Sequence, residues 1–316
     1  MRYKQLGDSN LKVSEITVGT WAIGGQGWGD VDKESSIAAI REMLDNGVNI
    51  IDTAPIYGLG HAEEVVAEAI KGYKREDIII STKCGLSWGE QYAPAYTKKD
   101  MTRGEVIRGC EESLKRLDTD YIDIMFIHWP DMVTPIEEPL EALEELKKQG
   151  KIRHIGLSNF SVEDTEKANG ITKIATIQPQ FSMVHQGSLP EMEASKQLGI
   201  GTMTYGSLGA GILTGAFRSL PNFEPNDTRL HFYDFFTEPK FSRVMKLLEK
   251  MDVISKERGV PLSQIAINWN TQNPLVDTAL LGVRNVEQAK ENCAAMKWKL
   301  TGEEISMLNR AIKETL

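Results

Sequence analysis

Four polar side chains, Asp52, Tyr57, Lys83 and His128, are of types that together can move a proton onto a carbonyl oxygen. A phenol with a pKa near 10 is a poor acid at neutral pH. A nearby lysine ammonium favours the phenolate and so lowers that pKa. An aspartate paired with the lysine holds it charged and oriented, and a histidine can hydrogen-bond the carbonyl or share the proton. The set suits proton donation to oxygen while a hydride arrives at carbon. Taken singly, each has an ordinary reading: Asp or Lys as a rim ion pair, His as a satisfied structural residue, Tyr as a packing aromatic. Their placement sets them apart. Asp52, Lys83 and His128 close three successive apolar runs, and Tyr57 follows in Asp52-Thr53-Ala54-Pro55-Ile56-Tyr57-Gly58.

Successive strand ends need a scaffold that sets strands side by side. Eight short runs rich in β-branched residues recur at 15–19, 48–52, 78–83, 122–128, 152–158, 174–178, 201–205 and 278–282. Most are near-continuously apolar, as parallel strands covered on both faces require. Helical patterns fill the intervals at 35–46, 62–71, 102–117, 139–149, 162–169, 189–198 and 287–295, several stopping at or beside Gly or Asn, as at Asn46-Gly47. This alternation specifies parallel βαβ units. The expected fold is therefore α/β, a (β/α)8 TIM barrel formed by one domain over residues 1–316, with a doubly wound sheet as the competitor. Residues 3–13, turning at Gly7-Asp8-Ser9-Asn10, read as an N-terminal β-hairpin. Residues 240–258, 261–271 and 303–312 read as extra helices towards the C-terminus, and residues 217–239 as a long Pro-rich, aromatic loop of no clear period.

The bulk properties narrow the function. With 316 residues the chain is long enough to bury most of its apolar surface. A net charge of −9 with no long basic run argues against nucleic acid or anionic membrane as a general partner. There is no signal-peptide core and no run of about eighteen apolar residues, so no membrane span is expected. Cys84, Cys110 and Cys293 are scattered and odd in number, which reads as reduced thiols in a cytoplasmic protein.

Other chemistries are poorly supplied. No GxGxxG follows a strand; residues 24–29 are glycine-rich with the wrong spacing, and there is no Walker A sequence. With no HxH or HExxH pair, no metal is expected. Gly85-Leu86-Ser87-Trp88-Gly89 matches GxSxG after a strand, but a nucleophile elbow needs a helix next, and Glu90-Gln91-Tyr92-Ala93-Pro94 is a poor one. Trp21, Trp88 and Trp129 each lie just beyond a strand end, where with Tyr57 and His128 they would wall a pocket for aldehydes or ketones carrying apolar groups. Phe232, Tyr233, Phe235 and Phe236 of the 217–239 loop are candidates to close over it.

Along nearly its whole length the sequence resembles the aldo-keto reductases. The matching segments are Gly19-Thr20-Trp21, the Asp52–Gly58 stretch, Ser81-Thr82-Lys83, Ile127-His128-Trp129, Ile155-Gly156-Leu157-Ser158-Asn159-Phe160, Tyr205-Gly206-Ser207-Leu208 and Gly282-Val283-Arg284. The resemblance implies a barrel using NAD(P)H without metal, with a catalytic tetrad on Asp52, Tyr57, Lys83 and His128. It also implies that Ser158, Asn159 and Gln178 bind the nicotinamide carboxamide and that Tyr205 stacks on the ring. Gly206, Ser207, Leu208, Gly209 and Gly211 would reach the pyrophosphate, and Gly19, Thr20, Trp21 and Asp52 would complete the cofactor contacts. Gly282, Val283, Arg284, Gln288, Glu291 and Asn292 resemble a pocket for the adenosine 2′-phosphate, which favours NADPH. The expectation is an NADPH-dependent reductase of a small carbonyl substrate, a monomer or small homo-oligomer. The alternative is a nucleotide-binding regulatory subunit, since potassium-channel β subunits share the barrel and tetrad.

Overall fold

Strands buried on both faces account for the apolar runs. A computed structural model describes residues 1–25, 27–29, 31–88 and 97–316. Strands β1 (Tyr3–Gln5) and β2 (Lys12–Ser14) pair as an antiparallel hairpin. Next come β3 (Ile16–Gly19), β4 (Ile50–Asp52) and β5 (Ile79–Cys84), then an antiparallel ribbon of β6 (Leu86–Ser87) and β7 (Lys98–Lys99) that the sequence reading lacked. The remaining strands are β8 (Ile122–Ile127), β9 (Ile152–Ser158), β10 (Ile174–Gln178), β11 (Gly201–Thr204) and β12 (Thr278–Gly282). Strands β3, β4, β5 and β8 to β12 close into an eight-stranded barrel, all pairs parallel. Closure excludes the doubly wound sheet.

Helices α1 (Lys33–Asp45), α2 (His61–Ala69), α3 (Arg103–Leu117), α4 (Glu137–Lys148), α5 (Val162–Ile171) and α6 (Leu189–Gln197) follow the successive crossovers. After β11 come α7 (Thr228–Phe232), α8 (Lys240–Arg258) and α9 (Leu262–Thr271), and after β12 come α10 (Val286–Ala294) and α11 (Gly302–Thr315). Local signals set the ends. Asp32 accepts from the Ser35 N–H ahead of α1, Asn285 from Gln288 ahead of α10, and Thr301 with Glu304 forms a capping box on α11. Gly47 takes a φ of +90° just past α1.

Most boundaries move by a residue or two from those read in the sequence. The largest change for a strand is at β4, which begins at Ile50 because Asn49 turns its side chain to the hairpin, accepting from Ser14 N–H and donating to the Lys12 carbonyl. Residues 217–239 are a correction: they hold α7 and a tight turn at Asp234–Phe236, and Phe217, Phe223 and Phe236 pack edge to face. No described helix is long and apolar enough to cross a membrane.

Alternation along each strand divides the core in two. Ile51, Ile80, Met125, Ile127 and Leu157 face the helices, whereas Ile50, Ile79, Ile124, Phe126, Met203 and Leu280 fill the barrel, with Leu6 and Val13 of the hairpin sealing its lower end. Space inside is tight. Gly156 pairs with Phe126 across β8 and β9, and a Cβ there would meet the Phe126 ring at 2.4 Å. Gly156→Ala is expected to cost about 1–3 kcal/mol through overpacking, read as a lower denaturant midpoint, and Phe126→Leu in the same chain should restore part of it. An unchanged midpoint would mean that the ring has room to move.

Candidate active site

The same alternation that fills the barrel floor with Ile50, Ile79 and Ile124 turns Asp52, Ser81 and Lys83 inward above them. Asp52 lies level with Gly19 on one side and Ser81 on the other. Lys83 stands one residue before the end of β5, and His128 one residue past the end of β8, with its N–H on the Cys84 carbonyl at 3.0 Å. Tyr57 sits in the turn between β4 and α2, its N–H on the Ala54 carbonyl. The four residues converge. Lys83 Nζ donates to Asp52 Oδ2 at 2.7 Å and to the Thr53 carbonyl at 2.8 Å, and it lies 5.0 Å from the centre of the Tyr57 ring. The Tyr57 and His128 rings meet edge to face with centroids 6.2 Å apart.

Lys83 and Asp52 are all but sealed from solvent, with side chains 1% and 2% exposed. A buried pair of this kind needs its remaining valences filled. Asp52 Oδ1 accepts from Ser81 Oγ at 2.7 Å and from Gln178 Nε2 at 2.8 Å. Ser81 is a site residue that was not singled out in the sequence, although its position two residues before Lys83 on one strand face was signal enough.

The electrostatics correct one expectation. Lys83 does not lower the Tyr57 phenol. Lost solvation first, and the Asp52 carboxylate second, raise Tyr57 well above its ordinary value of 10.0. The lysine charge is engaged by Asp52, and burial pulls Lys83 itself downwards against the pull of that carboxylate. Burial, with Lys83 nearby, holds His128 well below 6.5, so its imidazole is neutral at pH 7.

A second group of polar residues adjoins the first. Ser158 Oγ donates to the Gln178 carbonyl, Asn159 Nδ2 to the His128 carbonyl and to Ser158 Oγ, and Tyr205 Oη to Asn159 Oδ1, all at 3.0 Å. Asn159 has a φ of +63°, a left-handed conformation costly for a side-chain-bearing residue, and these three hydrogen bonds hold it there. Asn159, Gln178, Tyr205 and Trp129 border a cavity of about 320 Å³ that extends to His185 and Glu191. Beyond Tyr205, the N–H groups of Gly206, Ser207 and Leu208 find no acceptor among the described residues, while Gly209 and Gly211 take φ of +56° and +95°. Thr20 donates through both N–H and Oγ1 to the Asp52 carbonyl, and Gly19 lies level with Gly282 on β12.

Past β12 the residues divide. Arg284 is exposed, donates to the Trp28 carbonyl, and its N–H is held by Gln288 Oε1. Asn292 is buried with its Nδ2 unpartnered. The Val283 side chain is fully buried in the apolar core, so only its backbone can meet a ligand. Glu291 accepts from Ser263 Oγ, and is engaged within the protein.

Trp21 stacks on Tyr57 with centroids 6.0 Å apart and touches Trp28 and Phe232 edge to face at 5.2 Å. Of the loop aromatics, Phe232 reaches this wall, and Tyr233, buried edge to face against Phe232, brings its phenol near Tyr57 and Tyr205; Phe235 and Phe236 are buried. Trp129 carries Lys99 over its ring, and Trp88 is half-buried beyond β6. Ser87 pairs with Lys98 in the antiparallel ribbon rather than sitting at a strand-to-helix turn, and Gly89 and residues 90–94 lie outside the described residues. Among the described residues no cluster of His, Cys, Asp and Glu could hold a metal ion.

Comparison with known proteins gives a consistent picture. The family model described as "Aldo/keto reductase family" matches residues 15–313. A Bacillus subtilis (strain 168) protein described as an aldo-keto reductase is 38% identical, covering 100% of this chain and 95% of its own length. An Arabidopsis thaliana protein described as a probable voltage-gated potassium channel subunit beta is 33% identical, with coverage of 94% and 91%. An Escherichia coli (strain K12) protein described as an NADH-specific methylglyoxal reductase is 30% identical, with coverage of 100% and 99%. The solved structure of a glycerol dehydrogenase from Gluconobacter oxydans superposes with a TM-score of 0.90 at 31% identity, covering 99% of this chain and 96% of its own.

With the Tyr57 phenol held above 10.0 and the His128 imidazole below 6.5, neither group changes charge between about pH 7 and 9. Ultraviolet titration of the cofactor-free protein, minus that of Tyr57→Phe, should therefore give no phenolate band from Tyr57 at pH 10. A band that develops there would show the lysine prevailing over burial.

Proposed function

The chain belongs to the aldo/keto reductase family, and from that premise we propose that it reduces aldehydes or ketones with NADPH, using Tyr57 as proton donor. One observation carries the proposal: a sealed Lys83–Asp52 pair under the Tyr57 ring, with a neutral His128 against the ring edge and a continuous line of amide and hydroxyl groups leading away. Members of this family use nicotinamide cofactors, and the bound cofactor supplies a hydride. Ser158, Asn159 and Gln178 have the donors and acceptors for its carboxamide, Tyr205 a ring face for the nicotinamide, and the free N–H groups of Gly206, Ser207 and Leu208 suit a pyrophosphate.

The chain's own part is the proton. The substrate carbonyl oxygen sits between Tyr57 Oη and the His128 imidazole, which as a neutral ring donates one hydrogen bond. Tyr57 passes its proton to that oxygen while carbon accepts the hydride, so an alcohol forms and a phenolate is left. Lys83, 5.0 Å from the ring centre, is the cation placed to meet that phenolate, and it is worth most at this moment, when the charge develops in a site poor in water. Asp52 keeps Lys83 in place. Trp21 and Trp129 give the carbonyl compound's apolar part a wall.

Tyr57→Phe is expected to lower reduction by about 10²–10⁴-fold, the usual worth of a positioned acid, with NADPH binding by fluorescence unchanged; undiminished turnover would exclude Tyr57 as the acid. In a wild-type chain that binds NADPH but completes only a single slow turnover, the regulatory-subunit alternative would gain. The preference for NADPH rests on Arg284, exposed beside the N-terminus of α10. Arg284→Ala should weaken NADPH by about tenfold, the loss of one charge-assisted contact, and leave NADH little altered. An equal effect on both cofactors would leave the protein a dual-cofactor reductase.

A further inference from the structure

Behind the strand that carries Lys83, on the opposite side of the barrel wall, lies a second fully buried carboxylate. Glu63, in the first turn of α2, is 0% exposed. Its Oε1 accepts from Thr82 Oγ1 at 2.6 Å, and its Oε2 accepts from Arg116 Nε at 2.6 Å. Thr82 is the residue before Lys83 on β5, so its side chain leaves the strand outwards while Lys83 points in. The Arg116 side chain lies against Gly60, which takes a φ of +95° and where a Cβ would come within 2.5 Å of Arg116 Cδ. Gly60 donates to the Pro55 carbonyl, and Ala62, next to Glu63, donates to the carbonyl of Tyr57 itself.

We propose that Glu63 is a positioning residue for the reaction, clamping β5 under Lys83 through Thr82 and the Tyr57 turn through Arg116, so that the two reach the substrate in register. This rests on the reductase reading above. Burial alone does not explain the residue. A carboxylate sealed between α2, α3 and β5 costs several kcal/mol unless paired, and an apolar side chain would fill the same space. What the carboxylate adds is two directional hydrogen bonds, one to Thr82 on β5 and one to Arg116 on α3, whose side chain packs against Gly60 of the Tyr57 turn. It also adds a charge. Lys83 is faced by Asp52 from β4, by Tyr57 from the following turn, by His128 from beyond β8 and by Glu63 from α2. Burial pulls the lysine downwards, Asp52 does most to oppose it, and the field of Glu63 adds to Asp52 in the same direction. Glu63 in turn is faced by Arg116 and Cys110 from α3, with Glu112 sharing the arginine.

The test uses the whole protein and two readouts. In protein labelled at lysine Cε, the signal absent from Lys83→Met reports Lys83 directly. In Glu63→Gln its titration should move to lower pH. Carbonyl reduction should lose about tenfold to a hundredfold in kcat, as expected for a misplaced group, with the KM for NADPH within about twofold and the alkaline limb of the rate displaced the same way as the lysine. If Glu63→Gln does not fold, Thr82→Val, which removes one of the two hydrogen bonds, should lower kcat with KM unchanged, and Arg116→Lys, which keeps the charge, should recover most of the wild-type rate. A folded Glu63→Gln protein with Lys83 and kcat both unmoved overturns the proposal, as does a Thr82→Val protein with full kcat. If the wild-type chain reduces no carbonyl compound yet the lysine titration moves, the reductase reading falls and the coupling of Glu63 to Lys83 stands. If the chain is active and neither the lysine nor kcat moves, the reverse holds.

Discussion

Everything at the top of this barrel is arranged around one buried ion pair. Lys83 and Asp52 sit where water does not reach, and breaking such a pair costs about 3–5 kcal/mol because it strands a charge. The neighbours are therefore not free to vary. Ser81 and Gln178 fill the second aspartate oxygen, and the Thr53 carbonyl takes another lysine proton. Gln178 then passes the constraint through its carbonyl to Ser158, and Ser158 to Asn159 and Tyr205. The residues suited to an amide ligand are thus held by the same network that holds the lysine.

The pair also sets the chemistry of its surroundings. Burial above all, and the Asp52 carboxylate after it, make Tyr57 a phenol that keeps its proton. A donor that stays loaded across the neutral range is useful if help arrives only as the phenolate forms. Lys83 is placed for that, 5.0 Å from the ring centre. His128, neutral for want of solvation, adds no competing charge. In the proposed reaction, acid, cation and imidazole would take separate roles, set by burial and by the carboxylate that holds the lysine.

The scaffold keeps these parts in register by close packing. Phe126 fills the space that Gly156 leaves empty, directly below the ring of polar residues. On the outer face, the helices lie on Ile51, Ile80, Ile127 and Leu157. The 217–239 stretch after β11 adds a small aromatic core of its own, and it meets the site wall through Phe232 on Trp21 and Arg229 over Trp28.

Much of this was legible in the amino-acid order. Parallel strands must be apolar on both faces, and inward and outward residues must alternate, so the eight strands and the inward set Asp52, Lys83 and His128 follow from period and type alone. Helix ends were legible within a residue or two where a cap marked them, as at Asn46-Gly47. Three matters were decided only by the tertiary structure. The sign of the Tyr57 shift depended on how much solvent the closed barrel excludes and on which partner Lys83 chose. The burial of Val283 and the engagement of Glu291 by Ser263 depended on how α9 and α10 pack, which no local pattern encodes. The pairing of Glu63 with Thr82 and Arg116 joins residues 19 and 53 positions apart. A sequence specifies its elements through neighbours along the chain. Solvation and partner choice are properties of the neighbours brought in by folding.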